Sequence, residues 1–118
     1  MTAANPKRGV LVGYMWDTTE YPWFVLWRNV VGGHPAALGL EFGTTSRGNP
    51  GDMLRADVEG TYPRRLMVYI DAGETVTRTY RVFLTPIPGD FTGIAAVDER
   101  TGAVVLTPGM GAAITMPF

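Results

Sequence analysis

Short apolar runs of strand length, rich in Val, Leu, Ile, Tyr, Phe and Trp, recur along the chain between glycines and prolines. They predict strands at about Gly9–Trp16, Trp23–Val31, Ala37–Gly43, Leu66–Asp71, Thr75–Thr85, Thr92–Asp98 and Ala103–Leu106, with a last one near Ala112–Met116. No window keeps a helical period over three turns, and Asp52–Glu59 is the one place for a short helical turn. Three hairpins are expected: at Val31-Gly32-Gly33-His34-Pro35, at Asp71-Ala72-Gly73-Glu74 and at Glu99-Arg100-Thr101-Gly102. Seven or eight short strands with turn signals between them predict an all-β, antiparallel β-sandwich. Neither an internal repeat nor a linker is visible.

The strand Ala37–Gly43 carries the most information. Side chains alternate across a strand, so Leu38, Leu40 and Phe42 share one face, expected to be the core face. Ala37, Gly39, Glu41 and Gly43 share the other. A mid-strand glycine marks close approach by a ligand or another backbone. Here two glycines flank one carboxylate, which leaves room for a flat sugar ring beside Glu41. The alternative is that Glu41 faces solvent and the glycines serve twist or a crossing chain.

In Trp23–Asn29, Trp23, Val25, Trp27 and Asn29 fall on one face and Phe24, Leu26 and Arg28 on the other. Apolar bulk on both faces predicts a strand buried on both sides. Exposed Trp23 or Trp27 would stack on a pyranose, with Arg28 or Asn29 binding its hydroxyls; core packing is the commoner fate of tryptophan. The polar stretch Thr44–Pro50 leaves the end of the Glu41 strand, a usual place for a binding site.

Composition removes several function classes. One hundred and eighteen residues make one domain, and 46% hydrophobic content argues against disorder. Ten Lys+Arg against eleven Asp+Glu leave a net charge of -1 with no basic stripe, so no nucleic-acid partner is expected. The absence of cysteine excludes disulfides, thiolate zinc and a cysteine nucleophile. His34, the only histidine, sits in a Gly-Gly-His-Pro turn and reads as a solvated residue; no metal and no cofactor are expected. Ser46 lacks a nucleophile elbow, and Gly-Thr-Thr-Ser-Arg-Gly lacks the lysine of a P-loop. Asp71, Glu74, Asp98 and Glu99 read as turn chemistry. The amino terminus has no apolar core of a signal peptide, and no run is long enough to span a bilayer. The expectation is a soluble chain without a membrane partner, with the cytoplasm preferred.

Leu38-Gly-Leu-Glu41-Phe-Gly-Thr-Thr, followed by Tyr69-Ile-Asp-Ala-Gly73-Glu74-Thr-Val-Thr-Arg-Thr-Tyr80, resembles the C-terminal part of the galactose mutarotase-like (aldose 1-epimerase) superfamily. Glu41 matches the catalytic glutamate of a Gly-x-x-Leu-Glu strand, and Ala72-Gly73-Glu74 matches a Pro-Gly-Glu turn with Ala in place of Pro. Tyr21–Asn29 is similar to the strand preceding the catalytic one in divergent members. The resemblance spans about Asn5 to Phe91. It implies that residues 1–118 form one β-sandwich domain, the C-terminal portion of a larger sugar-binding sandwich. It also implies that Glu41 deprotonates the anomeric hydroxyl while a histidine from N-terminal strands protonates the ring oxygen. His34 matches no family histidine. The expected function is therefore carbohydrate binding to a mono- or oligosaccharide, with epimerase activity only in a completed protein. The alternative is a non-catalytic module whose sheet edges pair with another copy or chain.

Overall fold

The computed structural model describes residues 1–118. The expected all-β class is observed: eight strands form three antiparallel sheets, with one short α-helix. No helix is long and apolar enough to cross a membrane. The chain divides into two compact units, Met1–Met15 with Arg81–Phe118, and Trp16–Tyr80.

The first unit contains a three-stranded sheet of β1 (Thr2–Asn5), β2 (Val10–Trp16) and β5 (Tyr80–Pro86), in the order β1-β2-β5. A second sheet has β6 (Ile94–Arg100), β7 (Ala103–Pro108) and β8 (Ile114–Pro117) in sequence order. Alternation along β2 turns Leu11 and Gly13 inward. Leu11 and Leu106, both 0% exposed, form the core with Ile87 and Val104, and Phe83, Ile94, Val97 and Ile114 pack around them. Gly13 is required here: a Cβ would lie 2.0 Å from Cζ of Phe83, whose ring takes that space. The β6–β7 hairpin turns at Gly102 with φ 72°, as its turn residues predict. In this unit Arg81 pairs with Glu99 and lies 4.3 Å from the Phe118 ring centroid.

The second unit is built on a long hairpin, β3 (Trp23–Val31) and β4 (His34–Gly43). Gly32 and Gly33 take φ of 59° and 79°, the positive pair that a tight two-residue hairpin turn demands. The only α-helix, α1 (Pro50–Val58), starts where the polar Thr44–Pro50 stretch ends. The Asn49 side chain accepts a hydrogen bond from Gly51 N–H at 2.9 Å, and Pro50 takes the first turn, where its missing N–H costs nothing. At the base of the hairpin Trp16 stacks on Phe42, with centroids 4.4 Å apart. Tyr21 and Tyr80 meet the Phe42 ring edge-on at 5.3 and 5.1 Å. Offset and edge-on pairs of this kind add about 0.5–1.5 kcal/mol each beyond area burial.

Three expectations are corrected. Trp23–Val31 is not buried on both sides: β3 pairs with β4 alone, and Leu26 is 56% exposed. The Leu38-Leu40-Phe42 face is packed only at its Phe42 end, since Leu38 is 53% exposed. Leu66–Asp71 and Thr75–Thr79 form no strands, although Asp71–Glu74 does make its turn, with Glu74 N–H donating to the Asp71 carbonyl at 3.0 Å. The physical reason is that the backbone of the Leu66 segment finds other partners. Leu66 N–H donates to Asp57 Oδ1, the Leu66 carbonyl accepts from Ser46 N–H, and the Arg65 carbonyl accepts from the Trp23 indole. Strand propensity is decided by such context rather than by the residues alone. Strand β1 lacks an apolar run and lies outside the expected set; it is held by pairing with β2.

Candidate functional site

The register of the β3–β4 hairpin decides which side chains meet. Directly opposed residues share a face, and Trp23 opposes Gly43, Val25 opposes Glu41, Trp27 opposes Gly39 and Asn29 opposes Ala37. Trp23, Trp27, Asn29 and Glu41 thus lie on one face. Arg28 opposes Leu38 on the other face, among Phe24 and Leu26, and is separated from them.

Gly39 shapes this face. A Cβ there would sit 3.2 Å from Trp27 Cε3 and 3.4 Å from Glu41 Oε1. The Trp27 ring and the Glu41 carboxylate therefore both lean into the space above Gly39. The strip beside Glu41 is occupied by an indole rather than bare. Trp27 is 37% exposed, and its outer surface remains open. Glu41 is exposed and makes no ion pair within the chain.

Beside Glu41 lies a depression of about 350 Å³ lined by Trp23, Val25, Glu41, Thr45, Ser46 and Arg47. Thr45, Ser46 and Arg47 are additions to the candidate site residues; the signal for them in the sequence is the polar stretch after the Glu41 strand. Ser46 is held in place twice, by its N–H on the Leu66 carbonyl at 2.7 Å and by its hydroxyl on Met53 Sδ at 3.6 Å. Trp23 donates its indole N–H to the Arg65 carbonyl at 3.0 Å, which fixes the ring. His34 begins β4, opposite Val31 at the turn, seven residues from Glu41 and hence about 23 Å along the strand. The two cannot act on one sugar ring. No group of three or more His, Cys, Asp or Glu is arranged to hold a metal ion.

Side-chain hydrogen bonds also fix the turn before β3 and the segment after α1. Thr19 donates from its N–H and its hydroxyl to Asp17 Oδ1, both at 2.7 Å. These bonds hold the Asp17 carboxyl below its usual pKa. Asp57 projects from α1 with a side chain only 4% exposed. It accepts from Leu66 N–H at 2.6 Å and from the Tyr69 hydroxyl at 3.1 Å. Desolvation, then the bond to Asp57 and its negative charge, raises the Tyr69 pKa above its usual value.

The chemistry of the β3–β4 face is therefore that of one unpaired carboxylate between two indoles, with hydroxyls and a guanidinium at one end. Comparison of the chain with protein-family models, with curated proteins and with solved structures returns no match.

Proposed function

We propose that the chain binds carbohydrate on the β3–β4 face, with Trp27 and Trp23 stacking on sugar rings and Glu41 accepting hydrogen bonds from their hydroxyls. The observation that carries this reading is the register, which puts Glu41 between the two indoles on one face. Trp23 and Trp27 are four residues apart, about 13 Å along the strand, which gives an extended platform suited to an oligosaccharide. Arg47 and Thr45 supply donors at the Trp23 end, and the Ser46 hydroxyl oxygen an acceptor. Asn29 extends the same face beyond Trp27. Arg28, on the opposite face, takes no part.

The resemblance to the mutarotase-like superfamily supports the same ligand class and gives Glu41 the role of base toward an anomeric hydroxyl. The distance of His34 from Glu41 favours binding over turnover by this chain. Titration with mono- and oligosaccharides, followed by tryptophan fluorescence, tests the reading. A saturable change is expected, lost in Trp27→Ala and weakened about tenfold in Glu41→Gln, the loss of one charge-assisted hydrogen bond. A flat response across the sugars overturns it. Optical rotation of fresh α-D-glucose or galactose tests catalysis separately, and no acceleration over buffer is expected.

A second reading rests on the hairpin edges. Both β3 and β4 pair only with each other, so each has an outer edge of unpaired backbone groups, and the Phe24-Leu26-Leu38 face is exposed. Such edges pair readily with a second copy. Sedimentation distinguishes this: a dimer supports edge pairing, and a monomer across the accessible concentration range refutes it.

A further inference from the structure

We infer that a second cleft in the Trp16–Tyr80 unit is a binding site for a small phosphomonoester, independent of the Glu41 face. The cleft encloses about 570 Å³, and its walls include Thr19, Glu20, Arg64, Arg65, Tyr69 and Arg78. Three guanidinium groups thus border one cavity that contains a single carboxylate, in a chain whose net charge is only -1. Arg64 and Arg65 are neighbours in sequence, and folding brings Arg78, Thr19 and Glu20 to them.

None of these arginines is neutralised in a way that explains its placement. Arg64 forms no hydrogen bond or ion pair. Arg65 reaches Asp57 only at 3.8 Å, with a side chain 77% exposed, an arrangement that contributes little. It also lies 5.6 Å from the Tyr69 ring centroid. Arg78 is half-buried and donates from Nη1 to the Glu20 carbonyl at 2.7 Å, a neutral acceptor that fixes the guanidinium and leaves its charge unmatched. The Asp17–Thr19 turn in turn fixes that carbonyl, with Glu20 N–H and Tyr21 N–H both donating to the Asp17 carbonyl.

Like charges gathered on one concave surface repel each other, and an anion between them relieves the repulsion. Guanidinium forks match oxyanions in a planar, two-point geometry, and three of them suit the dianionic, three-oxygen end of a phosphomonoester better than a single carboxylate. Pro22, Met67 and Val68 give the cleft an apolar lining, which fits a body attached to the phosphate rather than free phosphate.

The test is a calorimetric titration of the full chain with phenyl phosphate, inorganic phosphate and benzoate at low ionic strength. Saturable binding is expected for phenyl phosphate, weaker for the other two, and falling as salt is raised. Arg64→Gln removes no hydrogen bond or ion pair of the fold and is expected to weaken phenyl phosphate about tenfold, as is Arg78→Gln, while Glu41→Gln leaves it unchanged. An unaltered circular dichroism spectrum for Arg64→Gln separates loss of binding from loss of fold. Absence of saturable binding, equal affinity for benzoate, or affinity unchanged by Arg64→Gln overturns the inference. None of these results bears on sugar binding at Glu41.

Discussion

Asp57 is the side chain on which the Arg64–Tyr69 segment hangs, and replacing it gives a sharp test of how this unit is held. Its carboxylate, 4% exposed, accepts from Leu66 N–H at 2.6 Å and from the Tyr69 hydroxyl at 3.1 Å. Asp57→Ala leaves the buried Leu66 N–H without an acceptor, a cost of about 2–3 kcal/mol for a bond to a charged group. The Arg65 contact adds little, because that side chain is mostly in solvent. Asp57→Asn keeps one oxygen as an acceptor and should cost about 1 kcal/mol. All three tryptophans lie between residues 16 and 80, so their emission reports on this unit. In urea, with a slope of about 1 kcal/mol/M, the alanine variant should lower the fluorescence midpoint by about 2 M. A loss under about 0.5 kcal/mol would refute the role given to Asp57. The same contact has a spectroscopic signature. Tyr69 is raised above 10.0 by desolvation first and by Asp57 second, so Asp57→Asn should bring its absorbance titration back toward 10.0. A raised folded pKa contributes stability that is full below pH 10.0 and lost as pH rises through the folded value. The wild type should therefore lose more stability in the alkaline range than Tyr69→Phe.

Other substitutions probe separate features. Gly13→Ala puts a Cβ 2.0 Å from the Phe83 ring and should cost about 1–3 kcal/mol, part of which Phe83→Leu in the same chain recovers; thermal melting by circular dichroism measures both. Leu106→Ala empties a fully buried position between Leu11 and Ile114 and should cost about 3 kcal/mol by the same melting assay. Gly39→Ala crowds Trp27 and Glu41 and should shift the Trp27 indole resonance with the rest of the amide spectrum intact; an unmoved indole would refute the placement of that ring.

Much of the architecture is legible along the chain. Short apolar runs locate β2, β3, β4, β6, β7 and β8 within a few residues, and Gly32-Gly33 and Gly102 mark hairpin turns that form. Alternation also assigns Glu41, Trp23, Trp27 and Asn29 to the faces they occupy, because the side-chain period of a strand is a local property. The Leu66–Asp71 run misleads for a non-local reason. Its apolar character is that of a strand, but the Leu66 backbone is bonded to Asp57 and Ser46, and the preceding Arg65 carbonyl to the Trp23 indole, all from distant positions.

The all-β class, the strand faces and the absence of thiol chemistry follow from residue type and near-neighbour spacing, so the chain's order of residues is enough to establish them. Folding in three dimensions was needed to show that Trp27 leans over Gly39 beside Glu41, and that the Leu38 end of the supposed core face is open. It alone brings Arg64, Arg65 and Arg78 around one cleft. Register between strands and the partners of an irregular segment depend on contacts across tens of residues, which no local pattern encodes.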